Sequence, residues 1–192
     1  MIRYIYEQEH PNNQHVNHNI KLAKSDSGCC GAELRTIHYH MGKQIGEVIS
    51  KTIDIEDTVI MPLLTGAMPF AFGVGESIDV KMLMIDAHYG HSLPNIHEKN
   101  IIIVDEVINT GKTVLEIADY YKANHKIILA TTVMPEDSEA FDSEYDIYTY
   151  RISKHRYKGT LVKKITGTEG PDTAARLYSL LYESGYLPGA HS

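Results

Sequence analysis

The chain is short of cysteine: it has only two, Cys29 and Cys30, and they are neighbours. Adjacent cysteines cannot staple distant segments, so a disulfide framework is excluded and a reducing compartment fits. Long apolar runs are also missing. None approaches the ~20 residues that a bilayer-spanning helix needs, and Met1–His10 alternates apolar with charged residues rather than forming the apolar core of a signal segment. An excess of positive charge is absent too: 18 Lys and Arg face 25 Asp and Glu, for a net charge of −7. The cations are scattered, which argues against a nucleic-acid surface. These absences lead to the expectation of a soluble, cytoplasmic protein with no nucleic-acid or membrane partner. What is present is ordinary globular material, 192 residues with 43% hydrophobic and 22% charged side chains. That length suits one domain, 1–192, with a substantial core.

Along the chain, the first 32 residues are polar and rich in Asn and His, and read as an irregular or partly extended N-terminal arm. Leu34, Ile37, Met41, Ile45 and Val48 recur at helical spacing and predict a helix over Glu33–Ile49. Thr58–Leu64 and Val80–Ile85 read as strands, with Pro69–Gly75 opening a helix between them. Residues 86–100 are polar and contain Gly90, Pro94 and three histidines, a long loop that is a candidate lid or an ordinary surface loop. Ile101–Val104 and Lys126–Met134 are continuous apolar runs, as in strands buried on both faces of a parallel sheet. Between them Val114–Lys122 reads as a helix. Further strands are expected at Ile147–Ile152 and Gly159–Ile165, and a closing helix at Asp172–Ser184, ended by Gly185. Alternating strands and helices indicate an α/β fold with a mainly parallel sheet.

The chemistry concentrates in Ile101-Ile-Ile-Val-Asp105-Glu106-Val-Ile-Asn-Thr110-Gly111-Lys112-Thr113. A buried strand delivers two adjacent carboxylates to the carboxyl edge of the sheet, where ligands of α/β proteins bind. Thr110, Gly111 and Thr113 then offer hydroxyls and free backbone N–H groups beside a helix start, a cradle for a phosphate. One end suits the hydroxyls of a ribose and the other its 5′-phosphate. The bland alternative is an acidic strand end followed by a common Thr-Gly turn. A nucleoside-triphosphatase P-loop is excluded, because its first glycine would fall at Glu106.

This segment resembles the motif by which type I phosphoribosyltransferases bind phosphoribosyl pyrophosphate (PRPP). The flanks are similar to the uracil phosphoribosyltransferases: His10-Pro11, Gln14-His15, Glu33-Leu34-Arg35, Met41-Gly42, Met61-Pro-Leu-Leu-Thr-Gly-Ala, Asp146-Ile-Tyr-Thr and Pro171-Asp-Thr-Ala-Ala-Arg-Leu-Tyr. The resemblance implies a mainly parallel twisted sheet flanked by helices, with a small hood built from terminal segments, 159–192 supplying its base side. It implies transfer of phosphoribose from PRPP to a pyrimidine base, uracil first, giving a nucleoside 5′-monophosphate and pyrophosphate. It implies magnesium arriving with PRPP rather than a protein metal site, and a homodimer. Asp105, Glu106 and Asp172 become the catalytic candidates. The PRPP set is Thr65, Gly66, Asp105, Glu106, Val107, Ile108, Asn109, Thr110, Gly111, Lys112 and Thr113. The base set is Ile165, Pro171, Asp172 and Thr173.

The departures from the family are specific. Thr65 stands where the uracil enzymes have an arginine that meets pyrophosphate, and Ile85–His88 occupies the place of a second arginine. Pro171 and Thr173 replace small residues beside Asp172. Two lost guanidinium groups should weaken the hold on pyrophosphate unless Lys99 or Lys112 compensates. A non-catalytic PRPP or nucleotide sensor of the same fold is therefore the alternative reading, and an RNA-binding regulator a weaker one. The eleven histidines show no zinc spacing and read as solvated or hydrogen-bonded, with His38 and His40 on different helix faces. Cys29-Cys30 reads as an inert or surface pair. Tyr178 reads as core packing close to the base segment.

Overall fold

The computed structural model describes residues 1–86, 93–160, 162 and 165–178. Six strands form the main sheet: β1 (Arg3–Ile5), β2 (Thr58–Pro62), β3 (Lys81–Met82), β4 (Asn100–Val104), β5 (Lys126–Pro135) and β6 (Asp146–Ser153). They lie in the order β1-β6-β5-β4-β2-β3, and every neighbouring pair is parallel. The apolar runs are continuous because both faces are covered. Ile102 and Val104 of β4 enter one core cluster, while Ile101 and Ile103 enter the other. The first cluster is closed by α2 (Gln14–Ala23), α3 (Gly31–Ile49) and α4 (Met68–Ile78) through Val16, Leu34, Met41 and Phe70. The second is closed by α5 (Lys112–Tyr121) through Val114, Ile117 and Ala118.

The helix pair α3 and α4 crosses on glycine. A Cβ added at Gly42 would lie 2.0 Å from the Phe70 carbonyl oxygen, and one at Gly73 would lie 2.0 Å from that of Tyr39. Backbone atoms cannot swing aside as a side-chain tip can, so the helices would have to separate. Gly42→Ala is expected to lower stability by about 1–3 kcal/mol, read as a lower urea midpoint at unchanged slope.

The N-terminal arm differs from expectation. It contains β1, a short helix α1 (Tyr6–Glu9) and α2, and it buries Tyr6, Val16, Ile20 and Cys29. The polar composition hid an apolar stripe at Val16, Ile20 and Ala23, and Asn13 caps α2 by accepting from the His15 and Val16 amides at 3.0 and 3.3 Å. The expected strand Val80–Ile85 is shorter than read, Lys81–Met82 followed by an isolated bridge of Ile85 to Leu63.

Part of the candidate lid, 87–92, lies outside the described residues; the rest is fastened. Tyr121 Oη donates to the Pro94 carbonyl at 2.7 Å, and Leu93 and Ile96 pack on the second core cluster. Lys81 Nζ meets Glu98 Oε1 at 2.9 Å. Residues 93–100 are thus tied to the body of the fold by these contacts.

At the other end, β7 (Lys158–Thr160) pairs in parallel with β8 (Glu169–Pro171) apart from the main sheet, and α6 (Thr173–Leu177) follows. The expected strand over Gly159–Ile165 is described only to Thr160, and the expected closing helix only to Tyr178; 179–192 lie outside the described residues. β7, β8 and α6 stand where the hood is expected, and Arg176 fastens α6 to the N-terminal segment. Its guanidinium donates to the carbonyls of Ala23, Lys24 and Cys29 at 3.1, 3.0 and 3.1 Å. Among the described residues no helix is long and apolar enough to cross a membrane.

Candidate functional site

The loop after β4 is stitched to β5. The Asp105 amide donates to the Ala130 carbonyl at 3.1 Å, and the Ile108 amide to that of Val133 at 3.1 Å. The Glu106 carbonyl accepts from the Thr132 amide at 3.1 Å and from the Thr131 and Thr132 hydroxyls at 2.9 and 2.6 Å. With its backbone so committed, the loop presents a preformed turn to whatever binds there. Gly111 sits at φ 92° as the N-cap of α5, and no side chain caps that helix. Beyond Lys112, the first-turn N–H groups of α5 have no side-chain acceptor among the described residues and lie beside the positive end of the helix dipole. The Lys112 amide leans on Thr110 Oγ1 at 3.3 Å, while the Thr110 carbonyl accepts from the Glu139 amide at 3.0 Å. Thr110, Lys112 and Thr113 are exposed around this turn.

The two carboxylates part company. Successive residues of an extended chain face opposite sides, so Glu106 continues the face of Ile102 and Val104 and points at α3. It is 3% exposed, and its Oε1 lies 3.0 Å from Nδ1 of His38, itself 1% exposed. That contact is off the line of a good hydrogen bond. The expectation that both carboxylates face a sugar is thus corrected for Glu106, which is turned into the core. Asp105 is half-buried, and burial together with the neighbouring Glu106 charge pushes its carboxyl up from 3.8 to about 7.

The raised value has a consequence for stability. Between pH ~4 and ~7 the folded protein keeps a proton that the unfolded chain has released, so the contribution of Asp105 falls as pH rises through that window and is flat above it. Asp105→Asn removes this penalty. The variant is expected to match the parent near pH 4 and to melt about 3–8 °C higher at pH 8, followed by thermal unfolding at both pH values.

The remaining sequence candidates gather around the same edge. Thr65 is exposed and Gly66 half-buried in the turn after β2, with a cis bond between Leu64 and Thr65. A Cβ at Gly66 would lie 3.1 Å from Glu106 Oε2 and 3.8 Å from the Ala174 Cβ, so this turn sits between the motif and the hood. Asp172 caps α6, its Oδ2 accepting from the Ala174 amide at 3.1 Å, and its charge reaches Asp105. A cleft of about 550 Å³ runs between the loop and the hood, with Val107, Asn109, Ile165, Asp172 and Thr173 on its walls. Pro171 is not among its lining residues and instead pairs with Thr160. Val107 and Ile108 are loop positions whose side chains pack, Ile108 completely. Among the described residues no group of three or more His, Cys, Asp or Glu could hold a metal ion.

Three residues escaped the sequence reading. His38 stands four after Leu34 and three before Met41, on the buried stripe of α3, and that position was the available signal. Arg176 and Arg151 carried none, since their surroundings come from other parts of the chain. The Cys29 thiol, pushed up to about 11 mainly by burial, is inert, and Cys30 is exposed.

The comparisons agree with this architecture. No family model matches the chain. The AQ2163 protein from Aquifex aeolicus superposes with a TM-score of 0.61 at 16% identity, covering 82% of this chain and 89% of that one. The AQ2163 protein thus shares the fold of this chain, a mainly parallel sheet flanked by helices. In sequence, the hypoxanthine-guanine phosphoribosyltransferase of Streptococcus pyogenes is 26% identical over 129 residues, 57% of this chain and 71% of its own length. The enzyme of the same description from Streptococcus thermophilus is 23% identical over 128 residues.

Proposed function

We propose that this chain is a phosphoribosyltransferase that joins PRPP to a nucleobase, releasing pyrophosphate. The observation that carries the reading is the stitched Asp105–Thr113 turn, with Gly111 opening an uncapped helix start below a cleft of base size. In this reading the amides and hydroxyls of Asn109–Thr113 hold the 5′-phosphate. Asp105 meets the ribose hydroxyls, and Glu106 positions the loop from beneath through His38. Thr65 and Gly66 lie on the pyrophosphate side, and Ile165, Asp172 and Thr173 on the base side. The anomeric C–O bond to pyrophosphate breaks as the C–N bond to the base forms, and the base ring gives up its N–H proton. The protein contributes by orienting the partners and excluding water.

The residues present fit magnesium carried by PRPP: Asp105 would offer one oxygen in a locally negative place, and water and substrate oxygens would fill the rest. The ion supplies charge that offsets the pyrophosphate.

The flanking motifs favour uracil, whereas the relatives found by sequence act on hypoxanthine and guanine by name, so both ring classes belong in the assay. The test is pyrophosphate release from PRPP with magnesium and a panel of purine and pyrimidine bases, alongside calorimetry of PRPP. Turnover supports the transferase. PRPP binding with no turnover on any base favours the sensor reading, which Thr65 in place of an arginine motivates. No PRPP binding overturns both.

A further inference from the structure

The cleft beside the motif is basic in a protein of net charge −7. Its walls carry Lys24, Arg151, Arg156 and Arg176 against Asp26 and Asp172. Among the described residues only Arg156 of the four is in an ion pair. Arg156 Nε is answered by Asp137 Oδ2 at 3.0 Å, but the Arg176 guanidinium is satisfied by three neutral backbone carbonyls. Arg151 is half-buried, and among the described residues it forms neither an ion pair nor a side-chain hydrogen bond; Glu7 and Asp26 act on it only at longer range. A guanidinium drawn part-way out of water without a partner is costly unless something fills its donor positions.

Its location says what that something touches. Val107 of the motif bridges Val133 on β5, and Val133 pairs with Arg151 on β6. The three stand in one row across the sheet and all line the cleft. At ~4.8 Å per strand, Arg151 lies about 10 Å from Val107 along that row. A ligand with its ribose at Asp105–Val107 would lay its base over Val133 and bring the outer edge of the ring to Arg151.

We propose that this cleft selects a base bearing negative charge on the edge remote from the ribose, such as an acidic dioxo purine ring, and that Arg151 reads that charge. The inference rests on the phosphoribosyl reading of the motif. Calorimetry of four nucleotides separates the two. Xanthosine 5′-monophosphate differs from inosine 5′-monophosphate by one oxo group that acidifies the ring on the side remote from the ribose; orotidine and uridine 5′-monophosphates, which differ by a carboxylate beside the glycosidic bond, are the control pair.

Xanthosine 5′-monophosphate is expected to bind about tenfold or more tightly than inosine 5′-monophosphate, the scale of a charge-assisted hydrogen bond. Arg151→Gln should collapse that ratio to near one, and Arg151→Lys should keep part of it. Equal affinities for the xanthosine and inosine nucleotides, or a ratio unmoved in Arg151→Gln, would overturn the inference and leave the phosphoribosyl reading standing. Binding of none of the four removes both.

Discussion

Gly111→Val is expected to weaken PRPP binding by at least about 100-fold, the loss of two or more hydrogen bonds to a charged phosphate. Gly111 holds φ at 92°, and a Cβ there would lie 2.7 Å from both the Cβ and the amide nitrogen of Ala140. The obstacle is the backbone of the next loop, which the Glu139 amide already ties to Thr110. A branched side chain must therefore push the turn open, and the α5 amides lose their shared aim. Gly28→Ala is the control: Gly28 also has a positive φ, 75°, but nothing stands within 4 Å of its added Cβ. It should cost only the backbone term, about 1–2 kcal/mol, and leave PRPP affinity alone. Calorimetry on the two variants decides the matter, and a Gly111→Val protein that binds PRPP normally would remove the phosphate cradle from this turn.

His38→Leu is expected to destabilise the fold by about 3–5 kcal/mol, because it leaves the Glu106 carboxylate buried without its partner. The two side chains are 1% and 3% exposed and 3.0 Å apart, so solvent cannot substitute for the lost imidazole. At roughly 2–4 °C per kcal/mol for a chain of this size, the melting temperature should drop by about 6–20 °C. Adding Glu106→Gln to His38→Leu removes the stranded charge and should return much of that loss. A double-mutant cycle by urea unfolding measures the coupling directly. A loss below about 1 kcal/mol in the single variant would show that the pair carries no net interaction.

The two experiments probe opposite sides of one loop. Gly111 opens the turn proposed to hold the phosphate, whereas Glu106 reaches down to α3 behind the loop. The resemblance treated Asp105 and Glu106 as an equivalent pair of sugar ligands. Strand geometry makes them different: Glu106 is buried against His38, while alternation turns the half-buried Asp105 to the opposite face. The base side shows a similar split, since Asp172 and Thr173 line the cleft while Pro171 is used in pairing β8 with β7.

The buried strands, the α3 helix and the phosphate turn could be read from sequence because their causes are local. An apolar run such as Ile101–Val104 must be covered on both faces, a stripe at Leu34, Ile37, Met41 and Ile45 must be buried, and Thr-Gly before a helix start leaves free amides. The N-terminal helix α2 was hidden because its apolar residues are few among His and Asn, and packing against the sheet supplied what periodicity did not show. Tertiary structure alone decided which side of the motif each carboxylate serves, that His38 lies under Glu106, that Arg176 joins the hood to the N-terminal segment, and that Arg151 stands at the far end of the cleft. These are meetings between residues tens of positions apart, 68 for His38 with Glu106 and 152 for Arg176 with Lys24. Nothing in local propensity encodes such distances; they follow from the order in which parallel strands take their places in the sheet.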